Sequence, residues 1–444
     1  MSTNISFKHI NKLALPALIS GISEPILSLT DAAIVGNIEL NATESLAAVG
    51  IVSTFLSMLI WVLGQTRSAI SSLVSQYLGA NNLEAIKSLP AQAIFIITSL
   101  SILIIVATYP FSESIFKLYN ASELILDYSV DYYKIRVFGF PFTLFTIAVF
   151  GTFRGLQNTY YPMLIAIVGT LVNIIFDFVL VYGVEGVISA MHIKGAAYAS
   201  VFAQFIMAIL SVYYLLKKTP ISLRFILPFN KEMKNFTLMI LNLFIRTIAL
   251  NVTLYYASAF STSYGKQYIA AYTIAINLWF LGAFIVDGYS SAGNILSGKL
   301  YGQRDFKSLV ELSNKLIKYG LLLGFIIAAL GGLLYFPLGK LFTNDQQVLN
   351  EFYNVFWLVL AMQPFCALAF IFDGVFKGLG KMKYLRNILL FSTFIIFLPV
   401  LFWLDALGYK LLGIFIAITF WIMARGIPLI IIFRRQFLPL SQKT

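Results

Sequence analysis

Asp177 stands where an acid is costly. The residues around it are apolar: Leu171-Val172, Ile174-Ile175-Phe176 and Phe178-Val179-Leu180. Only Thr170 and Asn173 interrupt that run, and positions i, i+3 and i+7 share one face of a helix. A second acid, Asp31, lies in the first long apolar run, seven residues after Glu24 and on the same helical face. A charge at the centre of a bilayer is expensive unless it faces protein or water. Grouping Asp31 with Asp177, Asn173 and Thr170 would give each a hydrogen-bonding partner. Two carboxylates in one low-dielectric site resist double ionisation, so such a group can take up a proton near neutral pH. The same oxygens suit a transient Na⁺ at Asp31, Asp177 and Asn173. The plainer alternative is that these bonds only fix helix packing, at about 0.6–2 kcal/mol each. Pro16 and Pro25 share the run with Glu24 and Asp31. A proline within a helix frees a carbonyl and permits a bend.

The elements that hold these residues follow from composition. The chain has 444 residues, 59% hydrophobic and 11% charged, against about 25% charged in a soluble domain. Apolar runs of spanning length recur throughout, and in hydrocarbon such runs must be helices. The punctuation by Gly, Pro, Asn and charge predicts an all-α integral membrane protein with twelve spans. They cover 8–37, 45–78, 88–115, 125–153, 160–183, 194–216, 235–262, 267–298, 309–337, 349–376, 384–405 and 411–433. Nineteen Lys and Arg residues, from Lys8 to Lys443, then collect on one side, and five (Lys117, Lys194, Lys266, Lys340 and Lys410) on the other. By the positive-inside rule both termini are expected in the cytoplasm. The net charge of +12 is thus topological and calls for anionic lipid, not nucleic acid. A single cysteine, Cys366, excludes an internal disulfide. No Cys/His spacing suits a metal or cofactor, and His9 and His192 read as ordinary polar residues.

The chain also repeats itself. Leu46-Ala47-Ala48 aligns with Ile269-Ala270-Ala271, Ser68-Ala69 with Ser291-Ala292 and Gly79 with Gly302. Pro141 aligns with Pro364, and Phe153-Arg154-Gly155-Leu156 with Phe376-Lys377-Gly378-Leu379, all at one offset of 223 residues. This predicts two six-helix lobes, 1–216 and 235–444, joined by a basic linker, 217–234. An even number of helices per lobe means a pseudo-two-fold axis along the membrane normal, as in transporters built from parallel repeats.

The acids are not repeated. Asp31 aligns with Leu254. The second half instead places Arg246, Asp287 and Arg425 within its spans, with Asp287 near the depth of Arg67. Asp373 and Lys377, at i and i+4, read as a helical ion pair. Tyr255, Tyr256, Phe260, Trp279, Phe280 and Phe284, with Asn158, Arg246 and Asp287, are candidates to line a cavity for planar or cationic compounds.

These features resemble the multidrug and toxic compound extrusion (MATE) transporters, in particular the DinF-like branch. The resemblance rests on Pro16 with Asp31, on Gln76-Tyr77-Leu78-Gly79-Ala80-Asn81, and on Phe153-Arg154-Gly155-Leu156-Gln157-Asn158-Thr159. It extends to Asn173 with Asp177 and to Gly195-Ala196-Ala197-Tyr198-Ala199-Ser200. It implies a multi-pass plasma-membrane protein (the inner membrane of a bacterium) that works as a monomer without a cofactor. It also implies export of cationic or amphipathic organic molecules driven by H⁺ or Na⁺. Asp31, Asn173 and Asp177 match the family's cation site, with Ser200 where Thr is common. Leu27 stands where some relatives carry Tyr, and the second-half acids of the NorM branch have no counterpart. The alternative reading is a flippase for lipids or lipid-linked oligosaccharides, which calls for a strongly cationic cavity. No Ser/His pairing or metal cluster suggests an enzyme.

Overall fold

The computed structural model describes residues 5–38, 41–119, 121 and 123–443; the side chains of Glu24 and Ser28 lie outside the described set. Among the described residues eleven helical spans and one bent pair, twelve if the pair counts as one, follow one another: Phe7–Val35, Ala42–Gly79, Leu83–Thr108, Glu123–Gly155, Tyr160–Val181 and His192–Lys218, then Met233–Ser263, Lys266–Gly302, Phe306–Leu333, the pair Gln346–Ala361 with Gln363–Gly378, Met382–Ala406 and Lys410–Ser441. The expected all-α architecture is present. The boundaries differ at three places. The third span stops at Thr108, just before Pro110, and the ninth at Leu333; short helices, Ser112–Lys117 and Tyr335–Phe342, follow them. The twelfth runs on to Ser441 through Pro428 and Pro439.

Three spans expected to be continuous are broken: the second, by a turn at Gly64–Gln65 between Ala42–Leu63 and Thr66–Gly79, and the fourth and tenth, which share one device. In the fourth, Glu123–Arg136 passes through a tight turn at Val137–Gly139 into Phe140–Gly155. In the tenth, the two helices meet at 51°. Pro141 and Pro364, the repeat-matched prolines, each sit in the first turn of the second piece. That position tolerates proline because its missing N–H has no helical partner there. The proline also lacks the N–H that would have bonded back across the break. The eleventh span is also interrupted, by one widened turn at Ser392–Phe397 ahead of Pro399.

The chain forms two compact units that interleave in sequence. The first contains Ile19–Val74 and Asn82–Phe236; the second contains the described residues of Met1–Leu18, Ser75–Asn81 and Thr237–Thr444. The first span is therefore divided between them after Leu18. In the second unit Ile10, Leu13 and Ala14 are buried in one apolar cluster with Val286, Ile295 and Leu300, and the Tyr289 hydroxyl donates to Asn11 Oδ1 at 2.8 Å. In the first unit, Gln92 ties the linker down. Its amide nitrogen donates to the carbonyls of Ile226 (2.6 Å) and Pro228 (3.2 Å), and its oxygen accepts from the Asn230 N–H at 2.9 Å.

Ser75–Asn81 belongs to the second unit because glycine lets two backbones touch. A Cβ at Gly79 would fall on the Lys299 carbonyl, and one at Gly302 on the Gln76 carbonyl. Gly79 and Gly302 are repeat-matched, as are Gln76 and Lys299, so the two contacts are reciprocal. Small residues permit such close helix crossings in membranes. Substituting Ala at either glycine should therefore force the crossing apart. Gly79→Ala and Gly302→Ala are expected to destabilise the protein alike, by about 1–3 kcal/mol, in thermal unfolding in detergent. Gly50→Ala, whose Cβ would meet nothing within 4 Å, should not destabilise it.

Candidate functional site

The fifth span shows why its polar stripe is buried. Ala166, Gly169, Asn173, Asp177 and Val181, spaced by three and four residues, form its inward face. Leu171, Ile175 and Phe178 point outward and are more than half exposed, as a lipid-facing surface requires. The sixth span packs against that inward face with small residues, Gly195, Ala196, Ala199 and Ala203, and carries Ser200 and Gln204 on it. The first span brings Asp31, and Tyr182 fastens it by donating to the Ile34 carbonyl at 3.0 Å.

Four helices thus meet on Asp31, which is 1% exposed. Its Oδ2 accepts from Ser200 Oγ at 2.7 Å and from the Tyr132 hydroxyl at 3.3 Å; its Oδ1 accepts from Asn173 Nδ2 at 3.3 Å. Asn173 Nδ2 also reaches Ser200 Oγ at 3.3 Å. Asp177 is fully buried beside Asp31, close enough for their charges to act on each other. Among the described residues no group donates to either Asp177 oxygen or to Asn173 Oδ1, and the two carboxyl groups lie within hydrogen-bonding reach of each other. Arg136, one turn beyond Tyr132, donates to Gln204 Oε1 at 2.8 Å, and its charge acts on both acids.

The inventory decides what this arrangement can do. Three buried oxygens (both of Asp177 and Asn173 Oδ1) accept and find no donor. Two carboxylates against one guanidinium leave one negative charge in excess. A single cation corrects both deficits. A proton on either acid turns an oxygen into a donor, and a bare cation with a preference for oxygen ligands would find carboxylate, amide and hydroxyl oxygens together.

The MatE family model matches residues 16–179 and, a second time, 239–403. The chain belongs to the MatE family of membrane transporters. The two matches begin 223 residues apart, at the offset of the internal repeat. Protein DETOXIFICATION 42 of Arabidopsis thaliana is 26% identical, over 90% of this chain and 87% of its own. DNA damage-inducible protein F of Escherichia coli K12 is 26% identical over 86% and 83%. A probable multidrug resistance protein NorM of Photorhabdus laumondii is 27% identical over 88% and 86%. Solved structures of MATE share the fold. The bent conformation superposes with a TM-score of 0.90 at 19% identity, covering 98% of this chain and 96% of that one. The straight conformation gives 0.87 at 20%, covering 98% and 97%.

In this MATE chain, not every residue singled out from the sequence joins the acid cluster. The Thr170 hydroxyl donates to the Ala166 carbonyl of its own helix at 3.0 Å, not to a carboxylate. The Glu24 side chain lies outside the described residues. Pro16 and Pro25 lie inside one continuous helix. Asn158 accepts from the Tyr160 and Tyr161 N–H groups at 3.0 and 3.4 Å, capping the fifth span. Trp279 is 2% exposed within the core of the second unit, its indole N–H donating to Cys366 Sγ at 3.1 Å. Tyr255 is 68% exposed and packs edge-on against Tyr256. Arg246 donates to Asp373 Oδ1 at 2.6 Å, and the i,i+4 pair of Asp373 with Lys377 is formed at 2.9 Å. Asp287 is half-buried, with Lys377 in its electrostatic field. Tyr132, Arg136 and Gln204 were not anticipated. Their one sequence signal is spacing: Tyr132/Arg136 and Ser200/Gln204 are i,i+4 polar pairs, like Asn173/Asp177.

Stability measurements separate the two acids. Ser200→Ala strands a buried carboxylate oxygen and should cost about 1–3 kcal/mol, lowering the thermal midpoint in detergent. Asp177→Asn removes a carboxylate that receives no donor and faces a second acid, and should leave that midpoint unchanged or raise it. Equal losses in both variants would contradict this description of the site.

Proposed function

We propose that this transporter is an ion-coupled antiporter that exports small amphipathic organic compounds by alternating access, with one H⁺ or Na⁺ carried at Asp31, Asp177 and Asn173. The observation that carries the reading is the set of three buried acceptor oxygens that receive no donor, in a site where two acids share one guanidinium. Efflux is supported by the printed names of relatives, among them the NorM multidrug resistance protein. The lipid-linked oligosaccharide alternative finds no support among those relatives. In this reading the basic face and both termini lie in the cytoplasm, and the sequence halves 1–216 and 235–444 rock about the linker 217–234.

The coupling step follows from charge. With no cation bound, repulsion between Asp31 and Asp177 strains the junction of four helices. Binding a cation relieves it and favours a different packing of the first span. That span crosses from one compact unit to the other between Leu18 and Ile19, bracketed by Pro16 and Pro25, each of which leaves a carbonyl without its helical donor. Bending there would couple the ion site to the accessibility of the substrate path.

The test is flux in proteoliposomes with an imposed pH or Na⁺ gradient, using a panel of cationic and anionic dyes. For every dye the wild type moves, Asp31→Asn and Asp177→Asn are expected to abolish the gradient dependence. Asn173→Ala, which removes one ligand and one donor, should weaken it. An Asp31→Asn protein that still drives a dye uphill with full ion dependence would refute the proposal.

A further inference from the structure

The second unit buries charge of the opposite sign. Arg246, Lys377 and Arg425 come from the seventh, tenth and twelfth spans, and Asp373 lies among them. Arg246 takes one oxygen of Asp373 at 2.6 Å and Lys377 the other at 2.9 Å. Arg425 is then left over. It is 3% exposed, and among the described residues neither Nη1 nor Nη2 has a hydrogen-bond partner. Counting the half-buried Asp287 that acts on Lys377, three cations face two acids.

Two properties of Arg425 give this imbalance a direction. A guanidinium does not lose its proton in proteins, so the excess cannot be relieved as a carboxyl pair relieves its own. The side chains that lie against the Arg425 guanidinium are aromatic rings, and its buried Nη1 and Nη2 meet no acceptor among the described residues. The guanidinium carbon lies 4.7 Å from the Trp421 ring centre and 5.2 Å from that of Phe370. Trp421 is itself held, its indole N–H donating to Thr393 Oγ1 at 3.1 Å, next to the widened turn of the eleventh span. Ring stacking contributes attraction but accepts none of the in-plane N–H bonds. A fork of N–H donors in the field of a second guanidinium, Arg246, matches a carboxylate or phosphate, which it binds bidentately. The arrangement is no relic of the repeat: at the 223-residue offset Arg425 aligns with Phe202 and Asp373 with Phe150.

We propose that the second unit holds an anion site, in which Arg425, backed by Arg246, takes the carboxylate or phosphate group of an organic anion that the transporter carries. This rests on the transport reading and narrows it. The aromatic residues of the sequence suggested planar or cationic compounds, whereas the buried charge of the second unit selects the opposite sign.

Carboxyfluorescein and rhodamine 123 share a ring system and differ in charge, so they test the sign directly. Fluorescence anisotropy with purified full-length protein in detergent needs no ion gradient, and a failure of ion coupling would leave it unaffected. Carboxyfluorescein is expected to bind more tightly than rhodamine 123. Arg425→Gln should weaken it by roughly tenfold or more, and Arg425→Lys, which keeps the charge but not the fork, by less. Lys117→Gln removes an exposed charge of a short helix and should change nothing. Equal affinity in wild type and Arg425→Gln would overturn the proposal, as would rhodamine 123 showing the Arg425 dependence. If Arg425→Gln fails to fold, unchanged affinity in Arg425→Lys overturns it. Inorganic phosphate is the third arm. Arg425-dependent thermal stabilisation by phosphate without carboxyfluorescein binding would mark a bound counter-ion only, and would also overturn the carried-anion proposal.

Discussion

A charge held away from water must find a partner of opposite sign, a hydrogen-bond donor, or a proton. Nearly every functional feature of this chain follows from that constraint acting in a hydrocarbon solvent. Lipid offers none of the three, so the helices must supply them to one another, and an imperfect supply marks a site where a mobile ion or a ligand completes the set. Asp31 is nearly complete, with three side-chain donors. Asp177 beside it is not. The contrast between two acids in one pocket is what makes the pocket more than helix glue.

The same constraint separates the two units. The acid cluster of the first has more carboxylate than guanidinium and the charged cluster of the second has the reverse, although the chain arose as two copies of one pattern. The copies kept what backbone geometry demands. Pro141 and Pro364 start the second piece of a broken span, and Gly79 and Gly302 admit a close, reciprocal crossing. They did not keep their charges: Asp31 aligns with Leu254 and Arg425 with Phe202. Backbone devices are shared by the fold, while charge is local chemistry and free to diverge.

Much of this was legible in the residues. The spans could be read because hydrocarbon thickness sets a minimum apolar length, and each is long enough to show it. Asp177 and Asn173 could be read because a polar stripe stands out in an otherwise apolar run. Tyr132 and Arg136 could not, because they end a helix that also carries Asp127, Asp131 and Lys134, where polar residues are ordinary. Ser200 sits in an Ala-rich stretch that reads as close packing, and only family resemblance singled it out. Thr170 shows the reverse error: it shares the face of Asn173, yet its hydroxyl is satisfied by its own backbone, as threonines in helices often are. The division of the first span after Leu18 had no sequence signal beyond its two prolines, since packing between distant segments decides it.

The central claim is that Asp31 and Asp177 share one exchangeable cation. Infrared difference spectroscopy of the purified protein, through a pH step and then an Na⁺ step, reads this without requiring a substrate. The account predicts a protonated-carboxyl C=O band that grows as pH falls and is missing from the Asp31→Asn, Asp177→Asn double variant. If Na⁺ is also accepted, adding it at constant pH should shrink the band. A wild-type spectrum that shows no such band and no Na⁺-dependent carboxylate change, or one left intact in the double variant, would contradict it.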